Sequence, residues 1–342
     1  MTTQSLTRAR LLTLLSVLLA ASFLVALSHG AVPVSMHDTL LVLLPWTTSE
    51  SAQASMIVGE LRLPRAILAA LVGANLAVCG AIAQGLFRNP LADPSLIGVS
   101  AGASLGASLV IVVGAGAGTL SGITLVSGGA FIGSLCAVGF VHALATRDSV
   151  TSVATMLLAG IAVTALAGAI STLLEYYSSD ELLRRISLWR MGALDGANEL
   201  RVSIALLVTL IVLLPLPWFT RSLDALLLGE SEARYLGINV QATKTALIVL
   251  VAIGVGTSVA LAGTIAFVGL VVPHIIRLLV GPGHRTLLPA AALAGATLML
   301  AADTASRLLI APAELPVGIV TALIGVPFFV YLLRYRSDLG SF

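Results

Sequence analysis

The sequence predicts an all-α polytopic membrane protein, with about ten transmembrane helices in one domain covering residues 1–342. Three observations predict it. Hydrophobic residues fill 58% of the 342 positions, and mean hydropathy is +1.06. Charged residues make up only 10% of the chain, against about 25% in a soluble one. The apolar residues fall in runs near the ~20 needed to cross a ~30 Å hydrocarbon core. Cys79 and Cys136 both lie inside such runs and read as small packing residues, which excludes a secreted disulfide scaffold.

Taken in order, the first span is 11–28. Arg8 and Arg10 precede it and small residues follow, so it resembles a signal peptide. Its length and the spans behind it favour an uncleaved helix. Residues 29–59 are expected to form an outer loop with a short helix before Glu60. The second span, 63–86, is entered through "ELRLPR" (60–65). Spans at 97–115 and 121–144 divide at the Gly-rich "GAGAGTLSG" (114–122). A span at 152–176 leads to "SSDELLRRISLWRMGALDGANE" (178–199), whose amphipathic spacing predicts a short helix across the outer mouth. After a span at 200–219 comes the longest inner loop, 220–244, with polar and apolar residues alternating at helical spacing. A helix there would offer Leu226, Leu227, Leu228 and Leu236 to another protein. Spans at 244–262 and 264–280 divide at "LAGTIAFVG" (261–269). Spans at 287–303 and 315–333 complete a core running from 60 to 335.

Orientation follows from Lys and Arg in the short loops. A cytoplasmic N-terminus puts eleven basic residues inside and seven outside, so both termini are expected in the cytoplasm. The net charge of +2 says less than this distribution does. Arg62, Arg65, Arg184, Arg185 and Arg307 all fall on the disfavoured side. Snorkelling anchorage would explain one such arginine. So many together favour a basic ring that steers an acidic partner or an anionic substrate.

"RNPLADPSLIGVSAGASLGA" (88–107) carries two patterns. Pro90 and Pro94 push Asn89 and Asp93 away from helix. Gly98, Gly102 and Gly106 recur every fourth residue, a spacing that lets a neighbouring backbone approach. A tight turn plus a packing face accounts for both. A broken segment at the inner end of a helix pair would also suit a gate.

Several chemistries are excluded. A phosphate-binding loop needs glycines before a lysine, and the lone lysine, Lys244, stands in "NVQATKTAL". The five histidines are scattered without ligand spacing, so no metal site is expected, and His274 reads as structural. No catalytic constellation is visible. The spans lack a mid-membrane relay of ionisable residues, since Glu175 and Asp303 come near span ends. A pump with neither a relay nor a nucleotide site must take its energy from a partner, and residues 220–240 are the natural docking place. No resident cofactor and no nucleic acid are expected.

At this point several blocks together resemble the membrane permeases of type II ABC importers for iron chelates, haem and vitamin B12. They are "RLPR" (62–65), "GLFRNPLADPSLIGVSAGASLGA" (85–107), "LLAGIA" (157–162), "LGESEARYLGI" (228–238), "ALAGTIAFVGLVVPHIIRLL" (260–279) and the stretch from 288 to 333. The resemblance covers the chain from residue 60 onward. It implies a homodimer in a bacterial inner membrane, two cytoplasmic ATPases that use the ATP, and a periplasmic binding protein. Arg62, Arg65 and Arg307 match positions that meet acidic residues of the binding protein. Leu228, Gly229, Glu230, Glu232, Ala233, Arg234, Leu236 and Gly237 match the loop that seats in the ATPase. Asn89 and Leu91 match positions near the cytoplasmic constriction. Helices at 152–176 and 315–333 match those that line the path. In the vitamin B12 permeases small hydroxyl residues stand at the inner gate where this chain has Val153 and Ala154. Residues 180–194 resemble the segment of haem permeases more than that of the usual siderophore type, although "WRMG" (189–192) fits a pattern shared with the B12 type. Arg184, Arg185 and Trp189 are the expected substrate-entry residues, suited to haem propionates or to an anionic ferric siderophore. Haem ranks first, ferric siderophore second and cobalamin third.

Overall fold

The computed structural model describes residues 3–44, 52–116 and 123–336. The expected break at 114–122 falls largely outside them. In chain order the helices open with α1 (Thr3–Ser28), α2 (Met36–Leu43) and α3 (Ala52–Ser55). A π-helical turn, Met56–Arg62, runs straight into α4 (Leu63–Leu86). The second span therefore begins well before the expected residue 63, as one helical rod from Ala52 to Leu86. A 3-10 turn (Pro94–Ile97) precedes α5 (Val99–Gly116), and α6 (Ile123–Ala145) follows. A short hairpin, β1 (Thr146–Arg147) with β2 (Val150–Thr151), joins α6 to α7 (Val153–Tyr176). Next come α8 (Asp180–Arg190), α9 (Glu199–Leu213), α10 (Leu216–Leu228) and α11 (Glu230–Tyr235). The chain finishes with α12 (Val240–Ala262), α13 (Val268–Val280), α14 (His284–Leu308) and α15 (Val317–Arg336).

Each of the ten expected spans is helical, but they are not alike. Among the described residues, six helices are long and apolar enough to cross a membrane. The helices α5, α13 and α15 are shorter, and α9 is bent by 52° from α10. Most of α4 is buried, 83% of its apolar window, against 22% for α7. So α4 is the axis of the fold, and α7 lies on its flank.

Small residues explain the packing of that axis. A Cβ on Gly73 would overlap the Gly295 carbonyl of α14, and one on Gly80 would overlap Gly269 of α13. In lipid there is no hydrophobic drive between helices, so close backbone approach supplies the attraction. A second pair forms the same way: Gly102 and Gly106 of α5 meet Gly133 and Gly129 of α6. Gly98 does not join this stripe, contrary to expectation. It sits at φ +80, capping the 3-10 turn before α5 begins, a conformation that glycine adopts without steric cost.

Two buried polar side chains of the bundle reach across to other segments. Buried Asn75 of α4 donates through Nδ2 to Thr209 Oγ1 of α9 at 2.9 Å. His274, 3% exposed, lies 3.3 Å through Nδ1 from the Pro90 carbonyl, a structural placement. Cys79 is buried, whereas Cys136 is exposed on α6 and does not pack inside.

Candidate functional site

Polar residues gather at the two ends of the bundle. At one end, α1 stops at Ser28 and leaves its last carbonyls without intrahelical donors. Arginines supply them. Arg62 Nη1 donates to Leu27 O at 2.8 Å and Ser28 O at 2.9 Å, and its Nη2 donates to Val32 O. Arg307 donates through Nη2 to Ala26 O and through Nη1 to His29 O, each at 2.9 Å. A cation at a helix C-terminus also meets the negative end of its dipole. Asp303, 0% exposed, ties the cluster together. One of its oxygens accepts from Arg65 Nε at 2.8 Å and the other from Arg307 Nε at 3.1 Å. Arg65 Nη1 reaches on to Glu314 at 2.8 Å.

This geometry corrects the expectation of three guanidiniums facing outward. Arg62 is 7% exposed and Arg307 6%. Their Nη donors go to carbonyls at the end of α1 and just beyond it, so this end is first a clasp holding α1 against α4 and α14. The open part of the cluster is the Arg65–Glu314 pair, through the exposed Glu314 carboxylate.

At the opposite end, α10 and α11 cross the mouth of the bundle. Gly229 separates them at φ +134, and Gly237 ends α11 at φ +80. The expected exposed apolar face is only partly present. Leu226 and Ala233 turn inward and pack with Ala225 and Val240, because α11 folds back onto the start of α12. Leu228, Tyr235 and Leu236 remain exposed. Glu232 and Arg234 are exposed beside them, with Arg234 4.0 Å from Glu230.

The Glu230 carboxylate is turned toward Lys244 of α12, whose Nζ lies 2.5 Å away. Lys244 is 1% exposed. The same Nζ donates to the Thr151 carbonyl at 2.8 Å. Gln241, one helical turn earlier on that face, accepts from Thr151 N at 3.0 Å. Thr151 ends the hairpin, whose turn residues Asp148 and Ser149 both have positive φ, the type I′ geometry that suits strand twist. Ser152 then caps α7 by accepting from Thr155 N, and Val153 and Ala154 form the first turn. Nearby, Asp224 Oδ1 accepts from His284 N at 2.8 Å and lies 2.7 Å from His284 Nδ1, pinning α10 to the start of α14.

Residues 18–335 match the FecCD transport family. The chain belongs to that family. It is 48% identical over 296 residues to the "Hemin transport system permease protein HmuU" of Yersinia pestis, covering 86% of this chain and 88% of that one. It is 43% identical over 343 residues to the "Cobalamin import system permease protein BtuC" of Halobacterium salinarum, covering 95% and 90%. Among solved structures, an inward-facing metal-chelate type ABC transporter superposes with a TM-score of 0.84 at 31% identity, covering 96% of this chain and 99% of that one. The protein is thus a FecCD permease, a membrane-spanning chain of an ABC transporter.

Within this FecCD chain the remaining expected sites fall between α4 and α5, at the start of α7 and along α8. Asn89 makes a turn by accepting from Leu91 N at 3.0 Å, and both precede the 3-10 turn that packs on α7. A Cβ on Gly160 of α7 would overlap the Leu96 carbonyl there. Val153 and Ala154 lie two turns below that contact in the first turn of α7, whereas Asn89 and Leu91 lie in the turn between α4 and α5. Two broken segments, through residues 93–95 and 264–267, line a cavity of about 270 Å³ with Asp93, Ser95, Thr264 and Phe267 on its wall.

Along α8, Arg184 is exposed. Arg185 and Trp189 line a separate cavity of about 280 Å³ with Asp195 and Arg201. The sequence reading did not single out Arg201, which is 8% exposed and donates to the Leu261 carbonyl at 3.1 Å. It also passed over Lys244 after excluding a phosphate loop. The clue was there: this is one lysine in a chain whose other basic residues are arginines.

Proposed function

We propose that this permease forms the membrane path of an ATP-driven importer, carrying haem from the periplasm to the cytoplasm as a homodimer. Two cytoplasmic ATPases seat on Leu228, Tyr235 and Leu236 of α10 and α11 and use the ATP. A periplasmic binding protein delivers cargo at the Arg65–Glu314 end, and both termini of the chain lie in the cytoplasm of a bacterial inner membrane. The observation that carries the haem reading is the 48% identity to a hemin permease across most of both chains.

The arrangement supports transport by a passive path. The flanks of α7 and α15 expose Leu158, Ile161, Leu323 and Val326, apolar surface that a second copy would cover and that would slide past a large planar ligand. The cavity beside Arg185 and Arg201 lies where an anionic cargo would enter. Cobalamin is the second reading, favoured by a match that spans more of the chain, 95% at 43% identity.

The test is ATP-dependent uptake into proteoliposomes holding this chain, its ATPase and its binding protein. Haem, cobalamin and a ferric siderophore are supplied in parallel. Haem accumulation alone sustains the proposal. Accumulation of another ligand keeps the mechanism and replaces the cargo. Uptake driven by an ion gradient without ATPase would overturn both.

A further inference from the structure

We infer that Lys244 is the positioning residue that links the ATPase-facing helix α11 to the first turn of α7. The inference rests on the proposed seating of an ATPase on α10 and α11. Lys244 Nζ is held by one group from each side: the Glu230 carboxylate at 2.5 Å and the Thr151 carbonyl at 2.8 Å. Thr151 is the residue before Ser152, the N-cap of α7. Gln241 grips the amide of the same Thr151 at 3.0 Å. The hairpin end is therefore held at both its N–H and its C=O by one face of α12, and only the Lys244 grip extends to α11.

Packing alone does not call for a lysine here. An ammonium that is 1% exposed has given up its hydration, and a buried ion pair replaced by apolar groups often leaves stability unchanged or raised. What the ion pair does supply is directional: the ammonium can follow Glu230 only by pulling on the Thr151 carbonyl. Because α11 is six residues long between Gly229 and Gly237, it is a small lever bounded by a glycine at each end. A load on its exposed face moves Glu230, and Lys244 passes that movement to the turn bearing Val153 and Ala154.

The experiment uses the full complex in proteoliposomes, in a Cys79→Ser, Cys136→Ser background with Ala154→Cys as a reporter for a soluble maleimide. If the parent complex assembles but shows no ATP-dependent uptake, the proposed function fails before any variant is read. If the parent transports, ATP is expected to change the labelling rate at position 154. In Lys244→Met, and in Lys244→Met with Glu230→Met, hydrolysis persists, uptake falls about tenfold, and labelling no longer responds to ATP. Lys244→Arg is expected to restore part of the response. The inference is overturned if the variants keep both uptake and the ATP response. It is equally overturned if they lose ATPase binding itself, since Lys244 would then only shape the seat. Should Lys244→Met fail to assemble, the double variant and Glu230→Gln decide by the same labelling. Failure of all three to assemble makes the residue a fold determinant and overturns the link.

Discussion

The two ends of the bundle solve one problem, a buried cation on backbone carbonyls, in opposite ways. At the arginine end, Arg62 and Arg307 cap five carbonyls between Ala26 and Val32, and Arg65 and Arg307 share Asp303. No single bond there carries the junction. At the lysine end, one ammonium joins one carboxylate to one carbonyl. The planar guanidinium presents several fixed donors to several acceptors at once, while the ammonium is a point charge on a flexible stem. An over-determined cluster resists movement, and a single grip between two short elements transmits it. The first end is built to stay fixed and the second to move.

The largest expected effect tests that contrast directly. Asp303→Asn leaves Arg65 and Arg307 without their shared counter-charge, and breaking a buried pair costs about 3–5 kcal/mol. Its thermal midpoint in detergent should fall well below that of Lys244→Met with Glu230→Met, which removes both partners. Equal losses would mean that the lysine end is a clasp as well, and the comparison would break.

Asp224→Ala comes next. It strips a hydrogen-bond acceptor from His284, which is 0% exposed, and from the backbone N–H at the start of α14. An orphaned buried donor costs about 1–3 kcal/mol. The loss should appear as a lower midpoint together with faster proteolysis at α10. A loss as large as that of Asp303→Asn would show that the lysine end carries as much of the fold as the arginine end.

What the sequence made legible follows from the kind of force involved. The ten helices were visible because bilayer thickness sets a length and apolar composition fills it, as at 153–176. The break after Ala262 was visible because "LAGTIAFVG" dilutes the helix pattern. Long-range pairings were not. Nothing local tells that Arg62 caps a helix ending 34 residues earlier at Ser28, so charge on the outer side read as a docking ring. Glu230 likewise read only as part of an ATPase-seating loop, since its partner lies on another helix and helical spacing places side chains only within one element. Gly98 shared a four-residue period with Gly102 and Gly106, but the proline at 94 shortens the preceding turn and moves Gly98 out of the helix.

A smaller effect sharpens the account of the lever. Gly237 has φ +80 and open space around the position of a Cβ, so Gly237→Ala meets no clash. Its cost is the left-handed backbone alone, about 1 kcal/mol. The measurable consequence should be a small drop in midpoint with a larger drop in uptake per ATP, since stiffening a joint of α11 impairs movement more than folding.

The smallest expected change in stability belongs to Leu228→Ser combined with Leu236→Ser. Both side chains are exposed, 68% and 53%, and surface substitutions away from special features stay within about 0.5 kcal/mol. The isolated permease should therefore unfold at an unchanged midpoint. If these leucines meet an ATPase, their truncation removes apolar area that only the complex buries, and co-purification of the ATPase should weaken by about tenfold or more. An unchanged midpoint with weakened association would locate the function of this surface outside the chain, the reverse of what Asp303→Asn tests at the other end. Unweakened association would move the ATPase seat away from α10 and α11, and the lever would lose its load.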